Sequence, residues 1–248
     1  MIQHENRNQF RDIKCPGSLL VAVLCLLIPL ASKAADKDAD TQRIKDADNV
    51  LKELINGPPG IPSDILNKAE CVVVLPAVKK GGFIVGGQYG RGLMTCRSGE
   101  NFNGKWSAPI MMQSHGGSFG LQAGGQAVDF VVLVMNDKGA RAVIKGKAKL
   151  GGDASVAAGP VGRDAEASTT ATMEAEMLSY SRSQGAFAGV SLSGTSLGPD
   201  DDANEKVYGK KISGEEIFAG SVQAPPQAAG LLSTLQQKSP SNASRGKS

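Results

Sequence analysis

Histidine is almost missing from this chain. Only His4 and His115 occur, and His4 falls in a segment with the form of a removable leader. One remaining histidine excludes a histidine-based zinc site, and two cysteines with one histidine fit no standard zinc spacing. Nucleotide-binding signatures are missing as well. There is no GxxxxGK[ST]: Gly104-Lys105, Gly146-Lys147 and Gly209-Lys210 are not followed by Ser or Thr, and Gly246-Lys247-Ser248 has Ser241 where the motif needs its first glycine. No GxGxxG opens a helix after a strand. Aromatics are scarce, at 4%. Apolar residues at 41%, with a net charge of only +3, exclude a disordered chain. Only one apolar run, Leu19–Leu30, approaches spanning length, so nothing suggests a chain with several membrane-spanning helices.

That run has the form of an export signal. Arg7, Arg11 and Lys14 precede it, Pro29 lies near its end, and Ser32-Lys33-Ala34 places small residues for cleavage after Ala34. As a helix its twelve residues would span about 18 Å, short of the ~30 Å hydrocarbon core. The expected organisation is a signal peptide at 1–34, a domain at 35–222 and a flexible Pro/Ala/Gln/Ser-rich tail at 223–248. Export would make the protein periplasmic or secreted, and peripheral on a membrane where lipid holds it. Without the leader, 23 basic and 22 acidic residues remain, net +1. That balance leaves no excess to suggest nucleic-acid binding. Cys71 and Cys96 also remain; an oxidising compartment would permit a disulfide, and two buried free thiols fit the sequence equally well.

What the chain has in excess is glycine, 31 of 248 residues. The glycines follow no three-residue period, so the chain is not collagen. Thirteen lie between residues 81 and 125, among strand-like residues. Glycine weakens a strand unless it marks a bulge, a bend or a close approach of backbone, so this stretch predicts a strongly bent sheet. Around it, Ile44, Ala47, Leu51 and Leu54 predict a helix over 36–56, ended by Gly57-Pro58-Pro59-Gly60. A second short helix is predicted over 63–69. The run CVVVLPAV from Cys71 predicts a buried strand, Lys79–Gly82 a turn, and 83–96 a glycine-rich strand. Residues 106–115, 118–127 and 128–136 predict three further strands, and 175–183 and 186–194 two more. Asn136, Asp200 and Ser213 are positioned to cap short helices. The fold class is therefore α+β and β-rich: a glycine-rich, strongly curled antiparallel sheet, barrel-like, with an N-terminal helix pair and short helices packed on it.

Three groups of residues invite a chemical reading. Gly116–Gly120 matches G-x-S-x-G around Ser118, with His115 just upstream. A nucleophile elbow needs strand, turn and helix, and a histidine C-terminal to the serine; the residues after Ser118 have no helical period. Asp200, Asp201, Asp202 and Glu205 lack the EF-hand pattern and read as a cap with a solvated face. No metal or cofactor is expected, and no catalytic residue. The third group is basic: Lys79, Lys80, Arg91, Arg97, Lys145, Lys147 and Lys149, which on one face could hold anionic headgroups. The amphipathic 36–56 helix carries five aspartates, which favours packing on the sheet over a membrane surface.

Long, ordered, glycine-punctuated stretches carry a family resemblance. They are KAECVVVLPAVKKGGFIVGGQYGRGLM, GKWSAPIMMQSHGGSFGLQAGGQAVDFVVLVMN, LGGDASVAAGPVGRDAEA and LSYSRSQGAFAGVSLSGTSLGPDDDANEKVYGK. Over roughly 44–222 the chain resembles the SYLF domain family, and looks like an exported bacterial-type member. Cys71, Val72 and Ala186 depart from common family residues and affect local packing only. The resemblance implies a non-enzymatic protein that binds anionic membrane lipids such as phosphoinositides, and a fold built on a glycine-rich curled sheet with packed helices. It also implies membrane contact by the 43–55 helix, adding Arg43, Lys45 and Lys52 to the lipid-binding candidates. Some eukaryotic members bind and bundle actin, so a protein-interaction or structural module, actin-binding or an envelope scaffold, is the alternative. A serine hydrolase using Ser118 is the remaining one. Neither nucleic acid nor nucleotide is an expected partner.

Overall fold

The computed structural model describes residues 28–58, 60–82, 85–99, 101–119, 124–161, 175–183, 186–187, 192 and 194–244. Most of the expected leader, part of the 186–194 strand, and residues 162–174 of the family motif lie outside the described residues. The chain divides into a unit before Lys37 and one compact unit, Lys37–Ser248.

Helix α1 is Ile28–Asn56, and α2 is Ser63–Lys68. Four long strands come next: β1 Cys71–Gly82, β2 Val85–Cys96, β3 Ile110–Phe119 and β4 Gly124–Val134. The rest comprises α3 Asp137–Ile144, β5 Ala148–Lys149, β6 Val156–Ala158, β7 Met177–Ser183, β8 Ala186–Phe187, β9 Thr195–Pro199, α4 Asp201–Tyr208 and α5 Gly214–Phe218. A 3-10 turn, Pro226–Ala228, leads into α6, Ala229–Lys238. The strands form one sheet in the order β5-β9-β3-β2-β1-β4-β7-β6, with β8 beside β7. Every pairing is antiparallel except β6–β7. This is the expected α+β architecture, curled as a half-barrel.

The curl has identifiable causes. A bulge in β1 shifts register between Leu75 and Val78, and Ala77 takes φ 48° there. The Asp129 carboxylate holds the bulge by accepting from the Ala77 N–H at 2.8 Å. Opposite the bulge, a Cβ at Gly92 would overlap the Val74 carbonyl oxygen, so only glycine admits this approach.

Both faces of the sheet are covered, which is why CVVVL is continuously apolar rather than alternating. Val73, Leu75, Met94, Ile110, Met112 and Phe130 point to one core, closed by α3, α5 and Phe102. Val72, Val74, Leu93, Met111 and Val131 point to the other, covered by α1, α2 and α6. Ile44, Ala47, Leu51 and Leu54 of α1 are fully buried, as their spacing predicts. The predicted caps form: Asn136 accepts from the Gly139 N–H, Asp200 from the Ala203 N–H, and Ser213 makes a reciprocal capping box with Glu216.

Three expectations need correction. Lys79–Gly82 is not a turn; it stays in the β1 ladder, paired to β2 and β4. Residues 128–136 do not begin a separate strand, because β4 already runs through 124–134. The flexible tail at 223–248 is instead structural through Ser244. Leu231 and Leu235 are buried against the α1 side of the core, and Ser239 and Asn242 are buried as well.

Candidate functional site

Ser118 and His115 both belong to β3, whose ladder to β2 continues from Ile110 to Phe119. The next described element is a strand, not a helix. The strand–turn–helix context of a nucleophile elbow is therefore not built here. Asp200 uses its carboxylate on the α4 cap and on Arg91, at 3.1 Å. Among the described residues no three His, Cys, Asp or Glu side chains gather as metal ligands.

The ten basic candidates separate into four groups. Arg97 is a correction: it is fully buried and cannot meet a lipid headgroup. Its Nε donates to the Ala69 carbonyl at 3.2 Å, and its Nη2 donates to the Ser239 carbonyl (3.0 Å), the Ser239 hydroxyl (2.6 Å) and the Ser241 carbonyl (2.9 Å). The guanidinium lies 4.3 Å from the centre of the Trp106 ring, and burial pulls its pKa down to about 10. The indole N–H donates to the same Ser239 carbonyl at 3.1 Å. Arg97 is thus the anchor of the C-terminal segment, a role its place beside a glycine-rich strand did not signal.

Arg43, Lys45 and Lys52 lie on α1, whose apolar stripe packs on the sheet rather than facing a membrane. Arg43 is paired with Asp40, and Lys52 with Asp48 at 2.8 Å; Lys45 is exposed. Arg91 is tied to Asp200. Lys80 is half-buried with its ammonium 5.0 Å from the centre of the Phe130 ring, and desolvation lowers its pKa.

The exposed remainder is Lys79, Lys145, Lys147 and Lys149. Lys145 and Lys147 line an open cleft of about 470 Å³, but Asp201 and Glu215 line it too, so its charge is mixed. Lys79 and Lys149 fall in one row across the sheet, and this row also contains Tyr89 and His115. The structure therefore does not gather all ten cations on one face. It aligns two of them, Lys79 and Lys149, in one cross-strand row with Tyr89, an aromatic residue outside the ten. Period-two alternation in β2 puts Tyr89 on the face of Leu93, but its alignment with Lys79 and Lys149 needs the strand register. No helix among the described residues is long and apolar enough to cross a membrane.

Comparison with known proteins agrees with the SYLF resemblance. Residues 115–238 match the family model described as Ysc84, Las17-binding protein actin regulator. An SH3 domain-containing protein of Schizosaccharomyces pombe is 38% identical over 181 residues, 72% of this chain and 41% of the relative. Protein YSC84 of Saccharomyces cerevisiae is 35% identical over 181 residues, 72% of this chain and 38% of the relative. The human SH3 domain-containing YSC84-like protein 1 is 34% identical over 198 residues, 77% of this chain and 57% of the relative. The chain thus spans roughly two-fifths to three-fifths of the length of these relatives.

Proposed function

The chain belongs to the Ysc84 family, and on that footing we propose that it is a non-enzymatic protein-interaction module of the actin-regulator type. The observation that carries this reading is the family match itself, which runs from β3 to the end of α6. The exposed chemistry is consistent with it: surface cations and one aromatic ring, with Ser118 held in a strand. Co-sedimentation of the full chain with filamentous actin tests the proposal. Pelleting with filaments that falls as salt is raised is the expected result, and no pelleting at low salt would overturn the actin-type reading.

Anionic lipid binding is a second reading with its own observation. Lys145, Lys147 and Lys149 are exposed at alternate positions from the end of α3 into β5. Pelleting with phosphoinositide-containing vesicles but not with neutral ones supports it, and failure to pellet with any anionic vesicle at low salt removes it. An exported site of action, periplasmic or extracellular, is part of the proposal. The bond between Cys71 and Cys96 supports it, because disulfides persist in oxidising compartments. A mature N-terminus at Ala35 in exported material is the expected finding; retention of the uncleaved chain inside the cell would refute it.

A further inference from the structure

Strand register aligns Ala127, Lys79, Tyr89, His115, Ser196 and Lys149 in one row, crossing β4, β1, β2, β3, β9 and β5 in turn. Four-residue offsets along β2, β3 and β4 place this row on the face of Leu93, Met111 and Val131, the face that α1 and α6 cover lower down. At the row itself that cover has ended. Lys79, His115 and Lys149 are exposed, and Tyr89 is the one exposed large hydrophobic residue among the described residues, at 47%. None of the three basic side chains has a carboxylate partner among the described residues, whereas Arg91, one pleat lower, is already tied to Asp200.

The neighbouring row on the same face is bare backbone: Gly125, Gly81, Gly87 and Gly117, paired in register. A Cβ at Gly117 would meet nothing within 4 Å, and one at Gly87 only the Gly116 carbonyl oxygen at 4.0 Å. The packing of this chain therefore gives no reason for glycine at these two positions, in contrast to Gly92. Besides bulges and bends, strand glycines often mark places where a ligand or another backbone comes close.

We propose that this row is a docking surface for an acidic, extended polypeptide segment of a partner protein. An apolar side chain of the segment rests on the Tyr89 ring, its carboxylates meet Lys79 and Lys149, and its backbone passes close to the bare glycine row. From Lys79 to Lys149 there are four inter-strand steps, about 19 Å, the length of roughly six extended residues. Charge complementarity selects the acidic occupant. A peptide is favoured over a bilayer because the cations form a single line around one ring, too sparse an anchor for stable membrane binding. This inference rests on the protein-interaction reading and deepens it.

The test uses the full chain and three probes: an acidic eight-residue peptide with one central leucine, its counterpart with lysine in place of every acid, and phosphatidylcholine vesicles with or without phosphatidylserine. Fluorescence anisotropy of the labelled peptides gives the affinity. The acidic peptide is expected to bind, and the lysine peptide not. Tyr89→Ala, and the pair Lys79→Glu with Lys149→Glu, are each expected to weaken binding at least about tenfold, which is about 1.4 kcal/mol. Gly117→Val fills space that is open in the free protein, so it should leave the denaturation midpoint unchanged and still block the peptide. Equal binding by wild type and all variants overturns the proposal, as does no binding by wild type. Vesicle binding that the same variants abolish, without peptide binding, also overturns it and assigns the row to a membrane. Actin pelleting that persists in Tyr89→Ala and Gly117→Val overturns this surface while leaving the protein-interaction reading intact.

Discussion

Arg97 shows how a single side chain can change the meaning of a segment. A guanidinium offers a rigid planar fork of donors, and here it is used on backbone carbonyls rather than on a carboxylate. The cost of burying the charge is offset in part by the Nε bond to Ala69, the shared Nη2 bonds to Ser239 and Ser241, and the Trp106 ring, while Nη1 is buried without a hydrogen-bond partner. Lysine could not span Ala69, Ser239 and Ser241 together. Arg97→Lys should therefore cost about 3 kcal/mol, within the range for breaking a buried charged network. Urea denaturation should record that loss, and hydrogen exchange should show Ser239–Ala243 losing protection first; uniform loss across the sheet would contradict the anchoring role. Glycines permit a paired comparison. Gly92→Ala forces a Cβ into the Val74 carbonyl and should cost about 3 kcal/mol. Gly87→Ala has room and should change stability by no more than about 0.5 kcal/mol. Similar costs for the two, by chemical denaturation, would mean that curl does not depend on close approach at Gly92.

At the scale of elements, what the sequence made legible was whatever rested on a local signal. The α1 stripe at Ile44, Ala47, Leu51 and Leu54 and the caps at Asn136, Asp200 and Ser213 need only near neighbours, and all of them formed. Lys79–Gly82 misled because a glycine pair after two lysines has turn composition, while the ladder that keeps it extended comes from β2 and β4. Helix α6 was hidden for a similar reason. Its composition is that of a tail, and its stability is tertiary: Leu231 and Leu235 enter the α1 core, and the Thr234 hydroxyl donates to Asp48 at 3.3 Å. The segment after it also satisfies the end of α2, since the Ser239 hydroxyl donates to the Leu66 carbonyl and the Ala243 N–H to the Asn67 carbonyl. Leu235→Ala should then cost about 2–4 kcal/mol, as for other buried leucines. A thermal melt that stays cooperative at a lower midpoint is the expected record; an unchanged midpoint would return 223–248 to the status of a tail.

For the whole molecule, the candidate surface was legible only in part, because a cross-strand row is set by register between β5, β9, β3, β2 and β1, none of which composition reveals. Lys79 and Lys149 stand out for charge but lie far apart in the chain, and only the sheet makes them members of one row with Tyr89. The same β1–β2 hairpin carries a covalent link at its other end, where Cys71 and Cys96 are paired in register, bonded and fully buried. Their separation of 25 residues gives a loop-closure contribution of about 3.5 kcal/mol. For a domain of this size that corresponds to about 10 °C in midpoint. The double variant Cys71→Ala with Cys96→Ala should melt lower by that amount and become insensitive to reductant, while the wild type should lose stability when unfolded and refolded with reductant present. Because the link lies at the opposite end of the hairpin from Tyr89, the folded double variant should still bind the acidic peptide with wild-type affinity. Loss of peptide binding in a variant that remains folded would mean that the bond sets the register of the docking row as well as the stability of the sheet.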